Sequence, residues 1–167
     1  MAATQQDLFA RLDALAIAHR TVTHPPLFTV EQSQGLRGSI PGGHSKNLFL
    51  KDKKDRFWLV TAREDADVDL KSLHRVIGSA RLSFGRADKL EELLGVKPGS
   101  VTPFGAINDA GNQVTVVLDK GLLAFGDVNF HPLTNEATTT VSADGLIAFL
   151  RDTGHEPLLI DLPQAEE

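Results

Sequence analysis

Residues 41–58 read PGGHSKNLFLKDKKDRFW, and this stretch predicts a β-hairpin. Residues 47–51 and 56–62 have the apolar and β-branched character of two strands, and the charged residues 52–55 form the turn between them. Positive charge is concentrated here, on Lys46, Lys51, Lys53, Lys54 and Arg56. Lys46 stands apart from the other four, at the start of the apolar run and shortly after two glycines.

The basic stretch contrasts with the chain as a whole, which has a formal net charge of −5 and a pI of about 5.6. An acidic protein is poorly suited to wrapping nucleic acid without regard to sequence, because that mode neutralises many phosphates at once. A small basic patch that holds one end of a nucleic acid is still compatible with this charge.

Composition indicates an ordinary globular domain, with 41% hydrophobic and 23% charged residues in 167 positions. The absence of cysteine excludes disulfides, thiolate nucleophiles and cysteine metal sites. The N-terminus lacks the basic and apolar regions of a signal peptide, and no apolar run is long enough to span a membrane. We therefore expect a cytoplasmic protein.

Helices and strands alternate irregularly along the chain, with hairpins among them. Thr4 begins a helix over about residues 4–18, and Ser142 begins another through Arg151. Thr29 and Gln32 match a capping box for a short helix. Further strands are predicted at 20–24, 80–84, 113–118, 122–125, 137–141 and 157–162, and further helices at 69–76 and 87–94. This pattern predicts one domain over residues 1–167 of the α+β (mixed α/β) class, and not a doubly wound parallel sheet.

Several familiar site motifs fail on inspection. Residues 65–69, DADVD, begin like a calcium loop, but Leu70 and Val76 occupy the positions that require glycine and glutamate. Residues 42–47, GGHSKN, lack the Gly-Lys-Ser/Thr order of a phosphate-binding loop. The six histidines show no short paired zinc spacing, and no G-x-S-x-G elbow is present.

Three features remain: Lys46, the loop Gly99–Pro103 and His131. Each also has an ordinary interpretation, as a strand-end lysine, a connecting loop and a structural histidine beside Pro132. The residue chemistry alone therefore predicts a globular domain with a basic edge and does not decide its function.

Five segments in fixed order carry a resemblance to a known family. They are HSKNLFLKDKK, RFWLV, KPGSVTPFG, VNFHPLTNEATTTVS and GHEPLLIDL. Together they resemble the free-standing aminoacyl-tRNA editing domains related to the insertion domain of bacterial prolyl-tRNA synthetase, from about residue 20 to the C-terminus. The most similar branch removes alanine mischarged on the proline tRNA. Its YbaK relative, which acts on cysteinyl-tRNA of the same acceptor, usually lacks the continuation Lys-Asn-Leu-Phe-Leu.

The resemblance implies a fold and an activity. The family fold is a mixed, largely antiparallel and partly closed β-sheet surrounded by helices. The implied reaction is hydrolysis of the ester that joins an amino acid to the terminal ribose of tRNA, with no metal or organic cofactor. The expected partners are the mischarged proline tRNA and, as a candidate, prolyl-tRNA synthetase.

The resemblance implies site roles for Lys46, Asn47, His131 and the loop Gly99–Pro103, and residue chemistry suggests the remaining candidates. The catalytic candidates are Lys46, Gly99, Thr102 and Pro103, the loop from Gly99 being assigned to oxyanion stabilisation. The substrate-binding candidates are Asn47, His131, Ile40, Leu48 and Gly105, with Phe49 as a further apolar wall. The tRNA-binding candidates are Lys51, Lys53, Lys54 and Arg56. No general base is evident, so the vicinal ribose hydroxyl of the tRNA is a candidate for orienting the water.

Three alternatives stay open at this point. One is a non-catalytic tRNA- or nucleic-acid-binding module of the same fold. Another is a deacylase of cysteinyl-tRNA of the proline acceptor. The last is a regulatory domain that binds a synthetase through the hairpin.

Overall fold

The computed structural model describes residues 2–26 and 40–163, and the predicted hairpin lies within it. Strands β2 (Gly43–Asp52) and β3 (Phe57–Arg63) pair antiparallel, from Ser45 opposite Arg63 to Lys51 opposite Phe57. The predicted helix at Thr29 and Gln32 lies outside the described residues.

The remaining strands are β1 (His19–Thr23), β4 (Leu82–Phe84), β5 (Val114–Asp119), β6 (Asp127–Phe130), β7 (Ala137–Ser142) and β8 (Leu158–Ile160). The α-helices are α1 (Gln5–Ala14), α2 (Leu70–Ile77), α3 (Ala87–Leu94), α4 (Lys120–Leu123) and α5 (Ala143–Asp152). Two 3-10 helices, Pro98–Ser100 and Pro103–Asn108, lie between α3 and β5. None of the helices in residues 2–26 and 40–163 has the length and hydrophobicity of a membrane-spanning helix.

One mixed sheet contains all of these strands, in the order β1-β7-β6-β2-β3-β5-β8, with β4 pairing with the end of β2. Neighbours β1/β7, β6/β7, β2/β3 and β2/β4 are antiparallel. The pairs β2/β6, β3/β5 and β5/β8 are parallel. The predicted mixed α/β class is confirmed.

The two faces of the sheet bury separate cores, because side chains alternate between faces along each strand. On one face Val128 and Phe130 of β6 pack with Leu8 of α1, Phe104 and Phe149 of α5. On the other face Leu50 and Val60 of the hairpin pack with Leu73 and Ile77 of α2. We call these the α5 face and the α2 face.

Two predicted elements differ from the structure. Helix α1 ends at Ala14 and not near residue 18, because Ala16 takes a left-handed φ of 57° and turns Ile17 into the core. The predicted strand at 122–125 is wrong. The chain instead forms α4, capped by Asp119, and enters β6 after Gly126, which has a φ of 83°. A short apolar run fits either a strand or a buried helix, so periodicity could not separate them.

The buried carboxylate of Asp52 organises the hairpin turn. It accepts hydrogen bonds from the backbone N–H groups of Lys54 (2.9 Å), Arg56 (3.0 Å) and Ala80 (3.3 Å). The Nε of Arg56 also donates to it, at 3.1 Å. Burial raises the pKa of Asp52, but the hydrogen bonds from Arg56, Lys54 and Ala80 outweigh burial and hold the pKa below its ordinary value.

Replacing this carboxylate should weaken the fold in a pH-dependent way. We expect Asp52→Asn to lower the free energy of unfolding at neutral pH by about 1–3 kcal/mol, because the amide leaves buried donors without an acceptor. A carboxyl group whose folded pKa lies below its unfolded value of about 3.9 stabilises the fold above that value. That contribution disappears as the pH falls through the folded pKa, so the two proteins should converge in acid.

Urea unfolding at a series of pH values measures the difference. Asp55→Asn is the matched control, since Asp55 lies in the same turn but its side chain is 80% exposed in its pair with Lys51. The control should stay within about 0.5 kcal/mol of the wild type. A difference between Asp52→Asn and wild type that does not shrink in acid would contradict the assigned role.

Candidate active site

Two parallel strands separate at one point of the sheet. β2 and β6 pair only through Gly43 with Val128 and His44 with Asn129. Beyond His44, β2 continues along β3, whereas β6 ends at Phe130. We call this point of separation the fork. Ligands of α/β sheets commonly bind where neighbouring strands diverge at their carboxyl ends, so the fork is the candidate site.

Lys46 and His131 stand on opposite sides of the fork. Each lies two residues beyond the last pair, His44 with Asn129, along its own chain segment. Side chains alternate along a strand, so Lys46 lies on the α2 face with His44, and the same alternation continued one residue past β6 would place His131 there with Asn129. The pairing of β2 with β6 therefore places the two chain segments that carry these predicted residues beside the same fork, although the segments are distant along the chain.

Lys46 is half-buried, and its ammonium group donates a hydrogen bond to the backbone carbonyl of Ala66. Ala66 lies in the loop that follows β3. The neutral carbonyl does not cancel the charge of the lysine, so the ammonium remains a point charge beside the fork.

The ring of His131 has a defined tautomer. Its Nδ1 lies 3.3 Å from the carbonyl oxygen of Ala137, and a carbonyl only accepts, so Nδ1 carries the hydrogen. Burial lowers the pKa of His131 below its ordinary value, the bond to Ala137 opposes this, and the charge of nearby His24 lowers it further. The lowered pKa favours the neutral ring, in which the Nε2 lone pair can accept a hydrogen bond.

Asn47 lies on the α5 face, because it is adjacent to Lys46 in a continuous strand. Its Oδ1 accepts a hydrogen bond from Thr61 at 2.7 Å, and its Nδ2 donates to Ser45 at 3.4 Å. Ser45 in turn donates to the backbone carbonyl of Asn129, at 2.9 Å. Asn47 thus links β2 to β3 through Thr61, and its side chain lies on the opposite face of the sheet from that of Lys46.

The residues of the predicted loop differ in their exposure. Gly99 is exposed and lies beside Asn135, in the turn that follows His131. Thr102 is fully buried, and its hydroxyl accepts a hydrogen bond from the N–H of Phe104. Pro103 is buried at the start of a 3-10 helix, and Gly105 packs against Leu94 of α3.

The predicted apolar walls are distributed over both faces. Ile40 is 4% exposed, and its carbonyl accepts a hydrogen bond from Nε2 of His44 at 2.9 Å, which places it beside the fork. Leu48 packs on the α2 face. Phe49 lies on the α5 face, stacked on Phe57 with ring centroids 5.6 Å apart.

The predicted tRNA-binding cations differ in their contacts with other side chains. Lys51 pairs with Asp55 at 2.9 Å, and Arg56 bonds to Asp52 and lies over the ring of Trp58. Lys53 and Lys54 are exposed. The turn lies seven residues along β2 from Lys46, which corresponds to roughly 20 Å at the rise of an extended strand.

A basic groove on the α2 face was missed by sequence reasoning. Its volume is about 540 Å³, and it is lined by Leu70, Lys71, His74, Arg75, Arg81 and Leu82. The groove adjoins the hairpin turn, because the N–H of Lys53 donates to the carbonyl of Arg81 at 3.1 Å. Residues 71–75, KSLHR, look like the solvated face of a helix in the sequence, and only the packing of β4 against α2 adds Arg81 to them.

In residues 2–26 and 40–163, no group of three or more His, Asp or Glu side chains is arranged to hold a metal ion.

Residues 24–149 match the family model of the aminoacyl-tRNA editing domain. The prolyl-tRNA synthetase associated domain-containing protein 1 of Bos taurus is 41% identical over 156 residues, which cover 90% of this chain and 91% of that protein. The prolyl-tRNA editing protein ProX of Acetoanaerobium sticklandii is 37% identical over 159 residues, with 95% and 97% covered. A crystal structure of a candidate trans-editing enzyme for prolyl-tRNA synthetase has the same fold, with a TM-score of 0.74 at 20% identity and 99% of both chains covered.

The two loop glycines should respond differently to substitution. In Gly105→Ala the added Cβ would lie 2.9 Å from the carbonyl oxygen of Leu94, so we expect a loss of about 1–3 kcal/mol in the free energy of unfolding. In Gly99→Ala the nearest atom would be Nδ2 of Asn135 at 3.5 Å, an ordinary contact, and we expect a change below about 0.5 kcal/mol. Urea unfolding of both variants tests this, and equal losses would mean that the loop packs differently.

Proposed function

This chain belongs to the aminoacyl-tRNA editing domain family, and we propose that it hydrolyses the ester of alanine mischarged on the proline tRNA. The observation that carries the proposal is the position of Lys46 and His131, each two residues beyond the last pair of β2 and β6. A fixed positive charge and a neutral imidazole on neighbouring parallel strands suit a substrate that combines a phosphate backbone with an aminoacyl ester.

The reaction requires water to attack the ester carbonyl and the bond between that carbon and the ribose oxygen to break. The ribose oxygen takes a proton, and the free amino acid leaves. The ammonium of Lys46 meets the terminal phosphate, the ribose or the carbonyl oxygen. Backbone N–H groups of the loop at Gly99 stabilise the negative charge that develops on the carbonyl oxygen.

His131 acts as an acceptor in this proposal. With hydrogen on Nδ1, its Nε2 accepts a hydrogen bond from the amino group of the substrate or from the ribose. The vicinal ribose hydroxyl orients the attacking water, so the protein itself needs no strong general base. Protonation of His131 in acid would turn Nε2 into a donor and remove this contact.

Specificity follows from size. A synthetase site built for proline rejects the smaller alanine only weakly, because losing about one methylene of contact gives roughly 10–200-fold discrimination. A second site can admit alanine and exclude proline sterically. Ile40 is the wall residue placed beside the fork, so Ile40→Ala would enlarge the space for the amino acid.

The acceptor stem would lie along the α2 face. The groove with Lys71, Arg75 and Arg81 adjoins Lys53 at the hairpin turn, at the other end of β2 from the fork. These cations position phosphates and carry no sequence information. The acidic remainder of the surface favours release of the deacylated tRNA.

Deacylation of one tRNA charged with alanine, serine, cysteine or proline tests the activity. We expect alanine to be released fastest, serine more slowly and proline almost not at all. Lys46→Ala should slow alanine release by about 100-fold or more, which is the effect of removing one group that stabilises the transition state. Its melting temperature should barely change, because the ammonium makes a single hydrogen bond to a loop carbonyl.

Lys89→Ala is the control, since Lys89 lies on α3 and pairs with Glu92 at 3.0 Å. It should retain the wild-type rate. Normal turnover by Lys46→Ala would show that the site lies elsewhere. Cysteine released fastest would assign the cysteinyl-tRNA reaction, and binding without release of any amino acid would identify a non-catalytic module.

The path of the acceptor stem can be mapped through salt dependence. The double variants Lys53→Ala/Lys54→Ala and Lys71→Ala/Arg75→Ala should each weaken tRNA binding and reduce the slope of log Kd against log salt by roughly one per lost phosphate contact. The rate at saturating tRNA should hardly move. If one double variant keeps the wild-type affinity and slope, the acceptor stem does not contact the surface changed in that variant. The Lys89→Ala variant again serves as the control.

A further inference from the structure

We propose that Asn129 is a positioning residue that fixes the fork, and thereby sets how far apart Lys46 and His131 stand. This inference rests on the proposed function, because it concerns how the same site is held in shape. Asn129 itself is 3% exposed, so it is not available to contact the substrate.

The side chain of Asn129 bridges three segments. Its Nδ2 donates to the carbonyl oxygens of Pro41 and Gly43, both at 3.1 Å. Its Oδ1 accepts a hydrogen bond from the hydroxyl of Thr140 on β7. One amide group thus ties the start of β2 to β6 and to β7.

The backbone of Asn129 adds a further tie to β2. Its carbonyl accepts a hydrogen bond from the hydroxyl of Ser45, at 2.9 Å, immediately past the last residue pair of β2 and β6. The turn before β2 also closes tightly on β6. Gly42 has a φ of 102°, and a Cβ there would lie 2.9 Å from the carbonyl oxygen of Asp127 and 3.2 Å from Nδ2 of Asn129.

A buried amide is costly unless all of its groups are bonded, so a plain packing position would favour an apolar residue. Here the amide supplies two donors to carbonyl oxygens at the start of β2, next to its two-residue ladder with β6. An apolar side chain would leave both carbonyls without this partner.

A change in how Asn129 holds β2 and β6 together would affect both proposed site residues. Lys46 and His131 each lie two residues beyond the pair that contains Asn129. If β2 and β6 moved apart at the fork, the ammonium and the imidazole would separate as well. A misplacement of about 1 Å between reacting groups can cost a factor of roughly 100 in rate.

Two variants isolate the effect. Asn129→Leu keeps the approximate volume and removes every side-chain hydrogen bond, whereas Thr140→Val removes only the bond to Oδ1. Thr139→Val is the matched control, because Thr139 is fully buried on the same strand but bonds to Thr21 on the α5 face, at 2.7 Å.

We expect Asn129→Leu to lower the rate of alanine release at saturating tRNA by roughly 10–100-fold, with the tRNA Kd within twofold of wild type. Thr140→Val should give a smaller fall in the same rate. Thr139→Val should lower the melting temperature and leave the rate unchanged. Backbone amide NMR spectra of Asn129→Leu and Thr140→Val should show shifts at both Lys46 and His131, and those of Thr139→Val should not.

A rate for Asn129→Leu equal to that of Thr139→Val would overturn the positioning role while the proposed function stands. If the wild type releases no amino acid from any tRNA, the proposed function fails, and the NMR comparison decides the positioning role alone. If Asn129→Leu does not fold, Thr140→Val decides, and unshifted amides at Lys46 and His131 in that variant would overturn the inference.

Discussion

The architecture depends on how β2 satisfies the backbone hydrogen bonds along its two edges. One edge pairs continuously with β3, from Ser45 to Lys51. The other edge is shared, with β6 paired through His44 and β4 paired from Leu50 onward. The N–H of Gly85 extends the β4 side by donating to the carbonyl of Phe49 at 2.9 Å, and among the described residues no strand pairs with this edge from Ser45 to Leu48. The fork is therefore a result of strand order, and the candidate site lies where β6 has ended and β4 has not begun.

Buried polar side chains supply hydrogen-bond partners to the backbone at both ends of β2. At its start, the amide of Asn129 donates to carbonyl oxygens. At its end, the carboxylate of Asp52 accepts from N–H groups of the turn. Buried backbone groups that lack a partner are costly, so these two polar residues stabilise the ends as neighbouring strands stabilise the middle. The strand that carries Lys46 is consequently held at both ends by groups with little freedom to move.

Local features of the fold could be predicted from the sequence, and features that join distant segments could not. The hairpin of β2 and β3, the helix Ala87–Leu94 with Gly95 after it, and the capping role of Ser142 follow from nearby residues. Lys46 and His131 were singled out as candidates, but their approach depends on the pairing of β2 with β6. The resemblance assigns Asn47 to substrate binding, but adjacent residues of a strand face opposite ways, so its side chain and that of Lys46 lie on different faces. Arg81 joined the basic groove only through the packing of β4 against α2.

Joining β2 to β6 at the fork closes a much longer loop of chain than forming the hairpin does. The hairpin closes a loop of only a few residues, whereas the bond from Asn129 to Gly43 joins positions 86 apart in the chain. The entropy lost on closing a loop increases with its length, so joining the fork costs more than joining the hairpin. The intervening strands and helices reduce this cost only after they have folded. The part of the sheet that carries the candidate chemistry is thus the part whose closure relies most on the rest of the domain being in place.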